Sequence, residues 1–550
     1  MKKNIPSLLL LSLSLTACGG SGGGSSSYNE NQYFGEFPYD YPKYQDALDA
    51  ANLEQSDPTS GNSDATTIKY AGDFADFSND YFAITGTSNW LTFEMSGEDN
   101  RSELRFTTNF KTSDSDFYRL VAKALPTSVT DSLDSSNDVE MTLLQIDNDE
   151  GYAPLVRVIW DSATRDEYSN SYWAVINTGS CDTDDTDASC FEYTYLANYN
   201  AASTTKFEIL VEDNLLTINV NGETAVNEST SYWPSIDNYF RAGVVNQYAN
   251  GTSMVQFETL TYNTNIPVAD LNASVAPSDN FDLLDWYLSI PVDKGNGTAT
   301  SISAKNLDGG YENSDYFYTN SDDGGMVFIC PIDGAKTSTN TSYTRTELRG
   351  MLSRGSSTSA SNMDNNWVFS SAPQSAQDDA AGVDGILEAT VAVNHVTTTG
   401  TTDQIGRVII GQIHANDDEP LRLYYRLLKG HTKGSLYFAH EPITGSEKWI
   451  TLLGSSSSSA SQPSDGIELD EKFYYKITVQ GNLLIVTIKR DYKDDIVRTV
   501  DMSASGFDDE DQYMYFKAGV YNQNNTGSGS DYVQATFYYL KNQHTGYDDF

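Results

Sequence analysis

The sequence predicts an all-β protein made of two sandwich- or barrel-type units in tandem, and three observations carry that expectation. Short runs of Val, Ile, Tyr, Phe and Thr recur between clusters of Gly, Asn, Asp and Ser, while Ala/Leu/Glu/Lys-rich runs are scarce; this is the pattern of strands joined by turns. A length of 550 residues exceeds one ordinary domain. Three landmarks also occur twice in the same order. Arg101-Ser-Glu-Leu-Arg105 returns as Arg345-Thr-Glu-Leu-Arg349, Gln145-Ile-Asp147 as Gln412-Ile-His414, and Tyr239-Phe-Arg-Ala-Gly-Val-Val-Asn-Gln247 as Tyr515-Phe-Lys-Ala-Gly-Val-Tyr-Asn-Gln523. Before the last landmark each half carries a strand pair, Phe207 to Val211 with Leu215 to Val220, and Tyr474 to Val479 with Leu483 to Ile488. Duplication of one fold followed by divergence is the simplest account.

From the N-terminus, Lys2 and Lys3 precede an apolar stretch from Leu8 to Leu15, the layout of a targeting segment. Leu15-Thr-Ala-Cys18 resembles the lipobox of bacterial lipoproteins. That resemblance implies a signal peptide over 1–18 and lipidation of Cys18; a plain secretion signal is the alternative. Gly19, in place of an Asp, implies the outer membrane of a Gram-negative bacterium, on either its surface or its periplasmic face. Residues 19–59 read as a Gly/Ser tether followed by a Tyr/Pro-rich arm, with a short helix expected from Tyr44 to Leu53. The first β-rich unit is expected over 60–264, a linker with Pro267 and Pro277 over 265–279, and the second unit over 280–550. Later stretches are too polar to span a bilayer as helices.

Cys181 and Cys190 flank an acidic loop and are expected to form a disulfide in an oxidising compartment, leaving Cys330 buried and unpaired. The carboxylates between that pair match no standard calcium loop and read as a solvated turn, so no metal is expected. A formal charge of −44 argues against nucleic acid, whose phosphates need a basic surface. It suits a salty medium, where screening is short-ranged.

Strand parity locates the chemistry. Successive side chains of a strand point to opposite faces. Tyr515, Lys517, Tyr521 and Gln523 therefore share one face, with Phe516, Ala518 and Val520 on the other. Arg345, Glu347 and Arg349 share a face, as do Gln412 and His414, and as do Arg422, Tyr424 and Arg426. Laid side by side, these strands would line a groove rich in cations, amide, imidazole and phenols, suited to an anionic, hydroxyl-rich polymer. His395, His431, His440 and His544 stand outside these motifs and read as structural or solvated.

The reaction class follows from what the face contains. Glycoside hydrolysis normally needs two carboxylates, and only Glu347 stands there, between arginines. β-Elimination of a uronate fits better. Donors on the carboxylate stabilise the dianion that forms when the adjacent C5 proton leaves. A base takes that proton, and an acid protonates the departing O4. No cofactor is needed.

The motifs R-T-E-L-R, Q-I-H and Y-F-K-A-G-V-Y-N-Q, with the stretch Phe281 to Val292, resemble the alginate lyases of polysaccharide lyase family 7 across the whole second unit. The resemblance implies a β-jelly roll, a concanavalin-like sandwich, for each unit. It implies that Arg345 or Arg349, with Gln412, neutralises the uronate carboxylate. His414 would be the base or assist it, and Tyr521 the acid, or both acid and base. Glu347, Arg349, Tyr515, Lys517, Gln523, Arg422 and Arg426 would bind substrate. Ile413, between Gln412 and His414, implies acceptance of guluronate-containing blocks. The expected protein is an endo-acting, monomeric alginate lyase. A lyase for another polyuronate such as glucuronan, and a non-catalytic lectin for acidic polysaccharide, are the alternatives. The first unit carries Asp147 where the second has His414, and Val245 where it has Tyr521. It is expected to be a degenerate, non-catalytic copy that keeps polymer binding through its arginines, with a spacer as the alternative. The segment from Arg354 to Asp364 reads as a mobile loop over the cleft.

Overall fold

A computed structural model describes residues 35–60, 62–129, 140–183, 188–247, 251–416 and 418–547. The expected signal peptide, the lipidation site Cys18 and the Gly/Ser tether lie outside the described residues. Each unit is a sandwich of two sheets closed over its own apolar core. In the first unit the motif-bearing sheet runs Phe191–Asn198, Tyr168–Asn177, Val156–Arg165, Glu140–Asn148, Asn238–Asn246, Arg101–Phe106, Ala51–Ser56, Ala65–Lys69. In the second it runs Lys448–Leu453, Lys433–His440, Leu421–Arg426, Arg407–His414, Tyr515–Asn522, Arg345–Gly350, Trp286–Asp293, Ala299–Ile302. The two orders correspond strand for strand, so the repeated landmarks mark a repeated topology.

The hairpins read from sequence form as local chemistry dictates. Thr205–Glu212 turns into Leu215–Val220 through Asp213 and Asn214, both at positive φ (47° and 60°). Lys472–Gln480 turns into Leu483–Lys489 through Gly481 at φ 55°. Two-residue loops whose twist matches the strands require such residues.

The boundary expected at residue 60 moves. The helix is Pro42–Asp49, not Tyr44 to Leu53, and Pro42 opens it, where the missing N–H costs nothing. The chain then enters the strand Ala51–Ser56, paired with Arg101–Phe106 on one side and Ala65–Lys69 on the other. Tyr44 and Leu53 are fully buried. Most of the expected arm from residue 38 onward is thus part of the first sandwich. The linker over 265–279 is laid against the second unit: the Ala269 N–H bonds to the Tyr538 carbonyl, and the Ile266 N–H to Asp491.

The units meet through the sheets that do not carry the motifs. Arg119 bonds to Asp494 at 2.6 Å, and Lys206 to the same carboxylate at 2.5 Å. Asp46 sits between Lys476 at 2.9 Å and Lys489 at 2.7 Å. The motif-bearing sheets therefore face away from the joint. The two lysines hold the Asp46 carboxyl well below the usual range despite its burial. A group with a depressed folded pKa contributes stability above its unfolded pKa, near 4, and loses it as pH falls further. Asp46→Ala should cost roughly 1–3 kcal/mol at neutral pH, between the exposed and buried limits for ion pairs. Calorimetry should show the cost vanishing in acid; an equal cost at all pH values would contradict it.

Candidate active site

The groove is the exposed face of the second unit's motif-bearing sheet. Thr346 and Leu348 point into the sandwich, leaving Arg345, Glu347 and Arg349 on the groove face. Register fixes the rows: Arg345 lies opposite Tyr521 and Arg349 opposite Lys517, while Gln412 sits between Lys517 and Arg422. Gly519 opposes Glu347 at φ 132°, and a Cβ there would stand 2.7 Å from the Thr346 carbonyl oxygen. Only glycine lets these strands approach so closely.

Glu347 is the hub of the floor. Its side chain is 1% exposed and accepts from Arg345 at 3.0 Å, from the Lys517 ammonium and from the Gln412 amide. Arg345 lies over the Tyr521 ring, its guanidinium carbon 3.8 Å from the ring centroid. Tyr521 is half-buried, and burial raises its phenol pKa, so it holds its proton at neutral pH. Burial, with Arg345 adding to it, brings Lys517 down to about 8.

His414 stacks on Tyr515 at 5.0 Å, the planes 11° apart. Its Nδ1 faces the Ala415 carbonyl, which needs a donor, so the proton of the neutral ring resides there. Burial first, then the Lys517 charge, lowers its pKa to about 3. The imidazole is neutral and Nε2 carries the lone pair. Nε2 lies 3.3 Å from Oε1 of Glu419, a residue sequence reasoning missed. Glu419 sits in the turn after the Gln412-Ile-His414 strand, where no periodic signal marks it.

Several residues expected to touch substrate have other work. Arg349 is buried on Tyr515 and donates to the carbonyls of Gly350 at 2.6 Å and Ala360 at 2.5 Å, and to Asn366 at 2.7 Å. It pins the segment expected to be a mobile loop, and Arg354 anchors the same segment to Asp282 and Asp285. Of the two arginines offered for the carboxylate, Arg345 faces the groove. Arg426 is 4% exposed and donates to the carbonyls of Thr402, Asp403 and Ser456, so it joins two loops. Arg422 is surrounded by Glu419, Glu441 and Glu447 and adds little net positive charge. Gln523 is buried just past the end of its strand.

A bulge between Ile409 and Gly411 breaks strict alternation. It leaves Ile409 in a groove-side cluster with Tyr424, Tyr437 and Tyr521. It also puts Arg407 beside Tyr424, 5.9 Å from the ring centroid, where simple parity from Gln412 would have sent it into the core. The exposed Trp449 extends the aromatic surface beyond Tyr424 and Tyr437. His440 is buried between the Pro420 carbonyl and Ser505, and His544 bonds to the Asp384 carbonyl.

The corresponding face of the first unit is closed on itself. Glu103 is fully buried and accepts from Gln145 at 2.9 Å, so the Glu–Gln pair is retained. Arg241 is taken by Glu54 at 2.7 Å and Asp147 at 3.0 Å, and Arg105 by Asp149 at 2.9 Å. Val245 opposes Arg101, in the place Tyr521 holds against Arg345. Cys181 and Cys190 are bonded to each other, and Cys330 is buried and free. Among the described residues no cluster of His, Cys, Asp and Glu could hold a metal ion.

The fold and this groove define a β-sandwich protein whose second unit combines a cation–amide floor, a neutral imidazole and a protonated phenol. The chain belongs to the alginate lyase family, whose description matches residues 48–266 and 281–544, one match in each sandwich. It is similar to an alginate lyase of Klebsiella pneumoniae, 57% identical over 281 residues that cover 49% of this chain and 91% of that protein. An alginate lyase of Photobacterium sp. (strain ATCC 43367) is 30% identical over 262 residues, 44% of this chain and 91% of its own length. The crystal structure of the alginate lyase from Klebsiella pneumoniae aligns at TM-score 0.48 and 56% identity, covering 49% of this chain and 98% of that one.

Proposed function

We propose that the second unit cleaves alginate by β-elimination, endo-wise, and accepts guluronate-containing blocks. One observation carries the reading. A neutral imidazole with its lone pair on Nε2 and a protonated phenol flank a floor of Arg345, Gln412 and Lys517 tied to one buried carboxylate. The uronate carboxylate settles over Arg345 and Gln412, whose N–H groups stabilise the extra negative charge as C5 loses its proton. Nε2 of His414 takes that proton. The electron pair forms the C4=C5 double bond, the C4–O4 bond breaks, and the Tyr521 phenol protonates the departing oxygen. Separate residues for base and acid suit the C5 epimer whose proton and leaving oxygen lie on opposite faces of the ring. Ile413 supports the same choice by its resemblance to guluronate-accepting members of the family.

The protein works, on this reading, as a monomeric lipoprotein held at the outer membrane through Cys18; the order of basic, apolar and lipobox-like segments supports this. The first unit serves as a spacer. Its arginines already face Glu54, Asp147 and Asp149, so a uronate would meet carboxylates there.

Ultraviolet absorbance of the unsaturated product is the direct assay. The full chain should generate it from alginate. Absorbance with glucuronan but not alginate would select a different polyuronate, and absence with both would leave a binding protein. Residues 35–264 enclose a core of their own. Expressed alone they should produce no absorbance and pass unretained through an alginate gel; retention would restore the first unit's binding role.

A further inference from the structure

We propose that Glu419 is a positioning residue for the elimination: its Oε1 and Nε2 of His414 share one proton, and that proton decides whether His414 can accept another. The inference rests on the reading of His414 as base. The first support is geometric. Nδ1 of His414 is committed to the Ala415 carbonyl, so Nε2 is the ring's remaining acceptor. A carboxylate oxygen 3.3 Å away is also an acceptor, and two acceptors face each other stably only with a proton between them. The side chains are 20% and 21% exposed, so water screens the contact only in part.

The surroundings keep that proton mainly on Glu419. Tyr515 stacks on the imidazole, and the charges of Lys517, Arg345 and Arg349 disfavour an imidazolium. Glu419 reaches the Arg422 guanidinium at 3.9 Å, but Glu441 and Glu447 compete for it at closer range. Burial first, opposed by the Arg422 and Lys517 charges and reinforced by a side-chain hydrogen bond with Glu441 and by its charge, pushes the Glu419 carboxyl up to about 7. Below that pH its O–H donates to Nε2 and masks the base. Above it the proton leaves to solvent, and Nε2 is open to the C5 proton. The ionised Glu419 then stands beside the imidazolium that forms and stabilises it. After release of the unsaturated product, the imidazolium returns its proton through solvent to the Tyr521 phenolate, and the cycle closes.

The test compares the full chain with Glu419→Gln, whose amide donates to Nε2 but cannot release a proton in this range. The nitrogen chemical shift of His414 Nε2 is followed against pH, its signal identified among five histidines by its loss in His414→Gln. The native protein should show a midpoint near pH 7, and Glu419→Gln none between about pH 5 and 9. In parallel, kcat/KM on alginate should rise with pH through the same midpoint. In the variant the amide keeps Nε2 occupied at every pH, so kcat/KM should stay low and show no rise between about pH 6 and 8. A native His414 signal without a midpoint between about pH 6 and 8, or a midpoint unchanged in Glu419→Gln, overturns the proposal. Failure of alginate to yield any unsaturated product would instead defeat the functional reading, and the nitrogen titration would still decide whether the pair exists.

Discussion

Tyr521→Phe should lower kcat on alginate by about 10²- to 10⁴-fold, the range for loss of a positioned acid, and leave KM nearly unchanged. The substitution removes one oxygen and keeps the ring. The contact of Arg345 with that ring, 3.8 Å from guanidinium to centroid, survives, and so does packing against Ile409, Tyr424 and Tyr437. The groove keeps its shape and its charge, because the phenol is neutral at working pH. What disappears is the proton for O4. Without it the leaving group departs as an alkoxide, and the rate falls at constant affinity. Initial rates across a range of polymer concentrations separate the two parameters. A kcat within a few-fold of the native value would move the acid to another residue.

Glu347→Ala should destabilise the second unit by about 3–5 kcal/mol, the cost of removing one partner from a buried charge cluster. Glu347 and Lys517 have side chains 1% and 7% exposed, and Gln412 is 1% exposed. Deleting the carboxylate leaves an ammonium and an amide without their acceptor, and frees Arg345 from its anchor on the floor. The same change should abolish turnover, since the groups meant for the substrate carboxylate lose the residue that orients them. Chemical denaturation followed by tryptophan fluorescence reads the stability, and Glu347→Gln should retain more of it than Glu347→Ala. A loss under about 1 kcal/mol would show that the floor is held by other contacts. The first unit repeats the device with Glu103 and Gln145, although it lacks both proton carriers. The hub is therefore kept in both sandwiches, with or without the proton carriers, and its loss should be felt in folding as well as in chemistry.

Strand parity made much of this visible. It placed Arg345, Glu347, Gln412, His414, Lys517 and Tyr521 on one face, and the repeated landmarks exposed the duplication. Parity says which face a side chain takes, but not what meets it there. Arg349 is held by Ala360 and Asn366, Arg426 by Thr402 and Ser456, and Arg422 by Glu441 and Glu447. Those partners arrive from loops whose approach has no local signature. The bulge at Ile409 and Gly411 adds one residue to the register, which is why Arg407 was not foreseen in the groove. Ala51–Ser56 carries Asn, Glu and Gln, weak strand formers; pairing on both sides makes it a strand, and that is a tertiary effect.

The mass of the products tests the central claim most directly. A defined alginate oligosaccharide is digested by the full chain, and every fragment is weighed. Elimination consumes no water, so the two fragments from each cut should sum to the mass of the parent, and the new non-reducing end should be lighter than a saturated one by one water. Fragments that sum to the parent plus one water would mean hydrolysis and would contradict the roles given to Arg345, Gln412, His414 and Tyr521.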